Sequence, residues 1–203
     1  MGIKERKLRN KQLLKDSIIL AAKKIATEHD WNAVTMRKIA DKIEYTAPII
    51  YEYFADKDEL LQEIRREGYQ KLLAKYQKAV ASFDSPTDIL TQIGVAYLDF
   101  AWENPQLYQL MYCYDRSTIG IKGLENIIDQ IRATIKNALI KALANTSDST
   151  LTSSELADNI DILRSMLHGT ITLSMMGALQ GDQTRARSLA IKGVQDLVSY
   201  WMK

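Results

Sequence analysis

Apolar side chains recur at intervals of three and four residues along almost the whole chain, the spacing that keeps one face of an α-helix buried. Leu14, Ile18, Ala21, Ala22 and Ile25 share such a face, with Lys11, Lys15, Lys23 and Lys24 between them. They predict a helix from about residue 11 to about residue 29. His29, Asp30, Trp31 and Asn32 interrupt the pattern, and Thr35 stands where a helix N-cap belongs, its hydroxyl placed to accept from a backbone N–H of the first turn. Met36, Ile39, Ala40 and Ile43 then give a helix of about two turns. Thr46 repeats the cap signal, and Ala47 and Pro48 follow in a first turn that does not need the missing proline N–H. Ile50 and Phe54 share the inward face of this second short helix. Asp56 can cap a long helix whose stripe Leu61, Ile64, Leu72, Tyr76 and Val80 runs to about residue 81.

Beyond Asp84-Ser85-Pro86 the helical period resumes, over about 86–103, from Pro105 to about 115, and over about 119–145. Asn104-Pro105 separates the first two, because the residue before a proline avoids helical geometry, and Gly120 and Gly123 loosen the start of the third. A polar stretch from Asn145 to Ser154 ends in Thr152 with Glu155 three residues on, a capping box. The helix it opens carries Leu156, Ile160, Leu163, Leu167, Ile171 and Met175 as one stripe to about Gly177 or Gly181, and a last helix spans about Asp182 to Tyr200. No sustained period-two alternation and no internal repeat interrupts this, so the fold is read as all-α.

Two short helices joined by a tight turn and braced by a preceding helix make a helix-turn-helix, here over about residues 35–54, whose second helix enters the major groove of DNA. Charge agrees with that placement. Residues 1–57 hold twelve Lys and Arg against eight Asp and Glu, whereas residues 58–203 hold fifteen against seventeen. Lys4, Arg6, Lys7, Arg9, Lys11 and Lys15 are opposed in the first fifteen residues only by Glu5, a basic arm suited to phosphate or simply to solvent. The single cysteine, Cys113, and two histidines offer neither a disulfide nor a metal cluster, and neither metal nor cofactor is expected. No apolar run is long enough to span a membrane or to serve as a signal peptide, so a cytoplasmic location is expected. No Ser/His/Asp arrangement or paired carboxylate makes a case for an enzyme.

The segment Val34 to Leu60 resembles the DNA-binding region of the tetracycline-repressor family of bacterial regulators. The resemblance is carried by Thr35, the Ile39-Ala40 pair, Thr46 in place of the family's usual Ser, the Tyr51-x-Tyr53-Phe54 run and Lys57-x-x-Leu60. It implies three N-terminal helices for DNA followed by a helical domain for ligand and dimerisation, with domains over residues 1–56 and 57–203. This chain departs from the family in having Asp30 before the second helix and Glu44-Tyr45 where Gly-Val is common in the turn. A Glu at a position of positive φ would be strained by roughly 1–2 kcal/mol, so the turn is either ordinary or slightly strained.

The candidate DNA-contacting residues follow. Thr35, at a helix N-terminus, can cap its helix and also meet a phosphate. With Ile50 and Phe54 facing inward, the resemblance turns the Tyr51 hydroxyl toward the DNA backbone. Lys57, at a helix start where the dipole disfavours a cation, is read as reaching for phosphate. Thr46, Ala47, Pro48 and Ile49 lie at the tip of the second helix, small and apolar enough to meet base edges and thymine methyls. Lys38 and Tyr53 complete the set.

In the C-terminal part Trp102, Tyr108, Tyr112, Cys113 and His168 belong to an aromatic- and Met-rich set that forms either an ordinary core or a small-molecule site, which the resemblance favours. Gly169, inside a helix, leaves room for a neighbouring helix or a ligand. Leu163, Leu167, Ile171, Ile191, Val194, Leu197 and Val198 are expected to supply a homodimer face. The expected activity is that of a ligand-responsive repressor, a homodimer on a near-palindromic double-stranded operator. The alternatives are a regulator of the same fold without a small-molecule effector, or an all-helical enzyme or lipid-binding protein whose basic arm meets an anionic membrane.

Overall fold

The computed structural model describes residues 2–114, 123–144 and 152–202. Among them the chain is helical: α1 (Ile3–Glu28), α2 (Met36–Lys42), α3 (Ala47–Tyr51), α4 (Lys57–Ser82), α5 (Pro86–Glu103), α6 (Pro105–Tyr112), α7 (Glu125–Leu143), α8 (Ser153–Met175) and α9 (Gln183–Trp201). Two compact units emerge, Met1–Gly68 with Gln106–Lys122, and Tyr69–Pro105 with Gly123–Lys203. The first therefore includes the opening turns of α4 and nearly all of α6.

Local capping sets most boundaries. The Thr35 hydroxyl accepts from the Lys38 N–H at 3.2 Å, and Ser85 does the same for Asp88 at 3.4 Å. Thr152 and Glu155 close a reciprocal capping box on α8, and Asp182 accepts from Arg185 at 3.1 Å to open α9. One start differs from the sequence expectation. α1 begins at Ile3 instead of near residue 11, with the Glu5 carboxylate accepting the Gly2 N–H at 2.8 Å. Leu8 on this extension remains exposed, as do Lys4 to Asn10 around it, so it rests on the helix propensity of its Lys, Arg and Leu residues, not on burial. The basic arm is thus the first turns of a helix. Gly120, expected to loosen the start of α7, lies outside the described residues; the described helix opens at Glu125, after Gly123 at φ 77°.

In the first unit α2 packs on both α1 and α3. Ile18, Ala22 and Ala26 of α1, Ile39 of α2, Ile50 of α3, and Leu60, Leu61 and Ile64 of α4 are fully buried. Ion pairs Lys15–Glu63 and Lys23–Glu67 tie α1 to α4. In the second unit α5 is the central helix, packed by α7, α8 and α9. Gly94 makes its close approach possible: a Cβ there would stand 3.1 Å from Val194 Cγ2 and 3.3 Å from Leu167 Cδ2.

Candidate DNA-binding interface

α2 ends at Lys42, and the chain turns through Ile43, Glu44, Tyr45 and Thr46 into α3. Glu44 takes φ 61°, so the strained form of the turn is the one present. The turn is held by the Tyr45 N–H on the Ala40 carbonyl (3.0 Å) and the Glu44 N–H on the Asp41 carbonyl (3.4 Å), the pair of bonds that closes a helix over a left-handed residue. Lys42 also donates to Glu28 at 2.8 Å, which joins the end of α2 to the end of α1. That hydrogen bond holds the Glu28 carboxyl below its ordinary pKa.

This frame sorts the predicted residues. Ile50 and Phe54 point into the core, as the periodicity requires. Thr35, Lys38, Thr46, Pro48 and Tyr51 are exposed, while Ala47, Ile49 and Tyr53 are half-buried. Thr46 occupies the N-cap of α3, yet its side chain makes no capping bond, so its hydroxyl is not consumed by the helix. The Tyr53 ring lies under the Lys11 ammonium, 6.0 Å from its centroid. Exposed Arg37 beside Lys38 on α2, and Tyr45 in the turn, join this surface without having been singled out in the sequence. Their signal was a second cation in the first turn of α2 and an aromatic with no apolar period to satisfy. Lys57 is placed differently: its ammonium donates to the Trp31 carbonyl at 2.8 Å and reaches that of Asn32 at 3.5 Å.

The five candidate ligand residues divide between the units. Tyr108 is buried and stacks at a tilt on Tyr112, centroids 5.0 Å apart, with Cys113 exposed beside them, all in the first unit. In the second unit the Tyr97 hydroxyl lies 3.5 Å from His168 Nδ1, and the Arg187 guanidinium, paired with Asp99, stands 5.8 Å over the Trp102 ring. The Trp102 Nε1–H is buried without an acceptor among the described residues, as is the Thr172 hydroxyl of α8. A groove of about 300 Å³ between α4, α5 and α7 is floored by Val80, Ile89 and Ala138 and rimmed by Gln77, Asn137 and Lys141; none of the five lines it.

The dimer face is where the structure departs most from expectation. Leu163, Leu167, Ile171, Val194 and Val198 are 3% exposed or less and form the core of their own unit, while Ile191 and Leu197 are half-buried. A second stripe on α8 and its C-cap is left outward, with Ile162 48%, Leu173 45% and the capping Met176 73% exposed. Met166 and Gly169 lie between them, and nothing stands within 4 Å of a Cβ built at Gly169.

An exposed second helix, a cap with a free hydroxyl and a basic leading helix define a helix-turn-helix DNA-binding protein with an additional helical unit. Residues 18–64 match the description "Bacterial regulatory proteins, tetR family", and residues 90–197 match "Tetracyclin repressor-like, C-terminal domain". The chain belongs to the tetracycline-repressor family of bacterial transcriptional regulators. Over 180 residues it is 27% identical to YobS of Bacillus subtilis, named as an uncharacterised helix-turn-helix transcriptional regulator, covering 88% of this chain and 87% of that one. Its fold resembles that of PfmR from Thermus thermophilus (TM-score 0.68, 19% identity, 90% of this chain and 97% of that one). It also resembles that of FadR from Bacillus halodurans, titled a fatty acid degradation regulator (TM-score 0.71, 17% identity, 91% and 93%). Among the described residues no helix is long and apolar enough to cross a membrane.

Proposed function

We propose that this regulator is a cytoplasmic, ligand-responsive repressor, and not an enzyme, that binds a near-palindromic operator as a homodimer. The observation that carries the reading is the surface of α3 and its approach. Thr46, Pro48 and Tyr51 are exposed around a helix whose Ile50 anchors it in the core, so a rigid element presents small apolar and hydroxyl groups for base edges and phosphate. Thr35, Lys38 and the basic start of α1 supply phosphate contacts that set register; Ala47, Ile49 and Tyr53 complete the contact set.

The outward stripe Ile162, Met166, Gly169, Leu173, Met176 repeats at four and three, the spacing of a helix seam, and Leu189, Gly193, Leu197 and Tyr200 run along neighbouring α9. Two such pairs related by a two-fold axis make a four-helix interface, and the reading helices then fall on successive half-sites. An effector in the second unit fits the buried indole N–H of Trp102, which lacks among the described residues an acceptor that a bound polar group would provide. Selection of binding duplexes from a random pool, followed by footprinting, tests the reading. The expected product is an inverted repeat protected on one face. Recovery of no preferred sequence at moderate salt defeats it.

A further inference from the structure

The groove between α4, α5 and α7 is built wholly from the second unit. On α4, Gln77, Val80 and Ala81 are three and four residues apart and share one face. On α7, Thr134, Ala138 and Lys141 do the same over two turns, about 10 Å of helix. Ile89 of α5, on which α7 packs, closes the bottom. Ala81 and Ala138, one on each wall, are too short to fill the space between the helices. The volume they leave, about 300 Å³, is that of a small-molecule site, and Val80 stays 39% exposed beside it.

The polar groups stand at the rim. Lys141 lies in the last turn of α7, where the helix dipole favours a cation, and its ammonium makes no hydrogen bond or ion pair among the described residues. The amides of Gln77 and Asn137 are likewise unengaged among the described residues, whereas the Thr134 hydroxyl donates to the Gln130 carbonyl at 2.8 Å. No carboxylate lines the groove. One uncompensated cation over an apolar floor matches one negative charge on an apolar body. A dianion such as phosphate would call for further cations, a cation would be repelled, and a wholly apolar molecule would use nothing of the rim.

We propose that this groove binds an amphipathic monocarboxylate, its apolar body lying along Val80, Ala81, Ile89 and Ala138 and its carboxylate on the Lys141 ammonium, with the Asn137 amide one turn back. The body it takes is about 10 Å long, set by the two turns from Thr134 to Lys141. The site is separate from the Trp102 position read above as the effector's, since Trp102 does not line the groove. It depends on the fold of the second unit and not on the DNA-binding reading.

The test titrates decanoate calorimetrically into the full chain without DNA, with decanol as its uncharged counterpart. Decanoate should saturate at one molecule per chain with a Kd below about 1 mM. Lys141→Met keeps the stem and loses the charge; it should weaken decanoate by roughly ten-fold or more and leave decanol nearly unchanged, and Lys141→Arg should restore decanoate. Ala81→Trp fills the groove from an exposed position and should abolish binding of both probes. Val80→Glu places a carboxylate on the wall and should weaken decanoate more than decanol, which keeps the groove testable if Ala81→Trp does not fold. Thermal melts without probe check each variant's fold. Decanoate that never saturates overturns the proposal, as does decanoate that binds Lys141→Met as tightly as the parent. Full affinity for folded Ala81→Trp would place the probe elsewhere, at the Trp102 position or on the open surface, and overturn it equally.

Discussion

The N–H of Tyr45 donates to the carbonyl of Ala40 across 3.0 Å, and the residue arched over that bond, Glu44, sits at φ 61°. α8 ends on the same pattern: the Ala178 N–H meets the Leu173 carbonyl at 2.9 Å over Gly177 at φ 66°. The two closures differ in one atom that matters, the Cβ of Glu44. An L side chain in this region costs roughly 1–2 kcal/mol, and glycine's greater unfolded-state freedom returns about 0.5–1 kcal/mol of that. Glu44→Gly should therefore stabilise the protein by about 0.5–1 kcal/mol, a rise in Tm of roughly 1–4 °C for a chain of this size. Glu44→Ala keeps the Cβ and should not. Denaturant melts of the pair decide it, and equal stabilities would show that the turn carries no strain.

A charge on the outward stripe of α8 should separate protomers without unfolding them. Leu173 is 45% exposed in the single chain, so Leu173→Glu has no core to disrupt, whereas the same change at Leu167, 3% exposed, introduces a charge into packed α5 and α9. If Leu173 lies in the centre of the interface, the substitution should raise the dimer dissociation constant by about thirty-fold or more, equivalent to roughly 2 kcal/mol. Light scattering on a dilution series checks the mass and a thermal melt checks the fold. A Leu173→Glu protein that stays dimeric moves the interface elsewhere.

That correction marks where sequence reading stops. The caps at Thr35, Asp56 and Thr152 are legible because donor and acceptor are three residues apart, whereas Thr46 carries the same signal and makes no capping bond. The two α8 stripes were not separable, because periodicity shows that a face is apolar and does not show whether its cover comes from the same chain. The stripe through Leu163 and Ile171 is buried in the unit that α8 forms with α5 and α9; Ile162 and Leu173 of the other stripe stay about half exposed. Periodicity gives too short an α1 because Lys4 to Asn10 are all exposed and leave no buried face to count. Lys57 was assigned by local logic at a helix start, while its partner Trp31 is 26 residues away and Trp31's own partner Gln106 a further 75. Such partners are set by tertiary packing.

His168 gives the protein a response to acid. Burial, and then the nearby charge of Arg164, hold its pKa below the ordinary histidine value, so the folded state favours the neutral ring. The unfolded chain takes up the proton first, near pH 6.5. The stabilising contribution is thus complete above that pH and is lost as the pH falls through the lower folded value. His168→Gln removes this proton uptake, and its Tm should fall less than the parent's between pH 7.5 and pH 5.5. Parallel Tm profiles for the two proteins would assign the acid response to other groups.

The contact surface itself is tested by separating phosphate contacts from base contacts. Lys38→Ala and Tyr51→Phe should weaken binding to every duplex by similar factors, because phosphates carry no sequence information. Ile49→Ala and Ala47→Ser lie at the tip of α3 and should change which duplex is preferred, most at the positions where a thymine methyl meets the helix. Salt provides the independent reading. Loss of Lys38 should lower the slope of log affinity against log salt by about one unit per half-site, while Ile49→Ala should leave it nearly intact. Removing residues 1–9 deletes Lys4, Arg6, Lys7 and Arg9, which the structure places on the exposed first turns of α1, and should flatten the slope further at every sequence. The truncation also removes the Glu5–Gly2 cap, so a charge-only version, with those four residues changed to Gln in the full-length chain, distinguishes lost phosphate contacts from a frayed helix. If both proteins bind the selected duplex with unaltered affinity and slope, the basic start of α1 has no part in holding DNA.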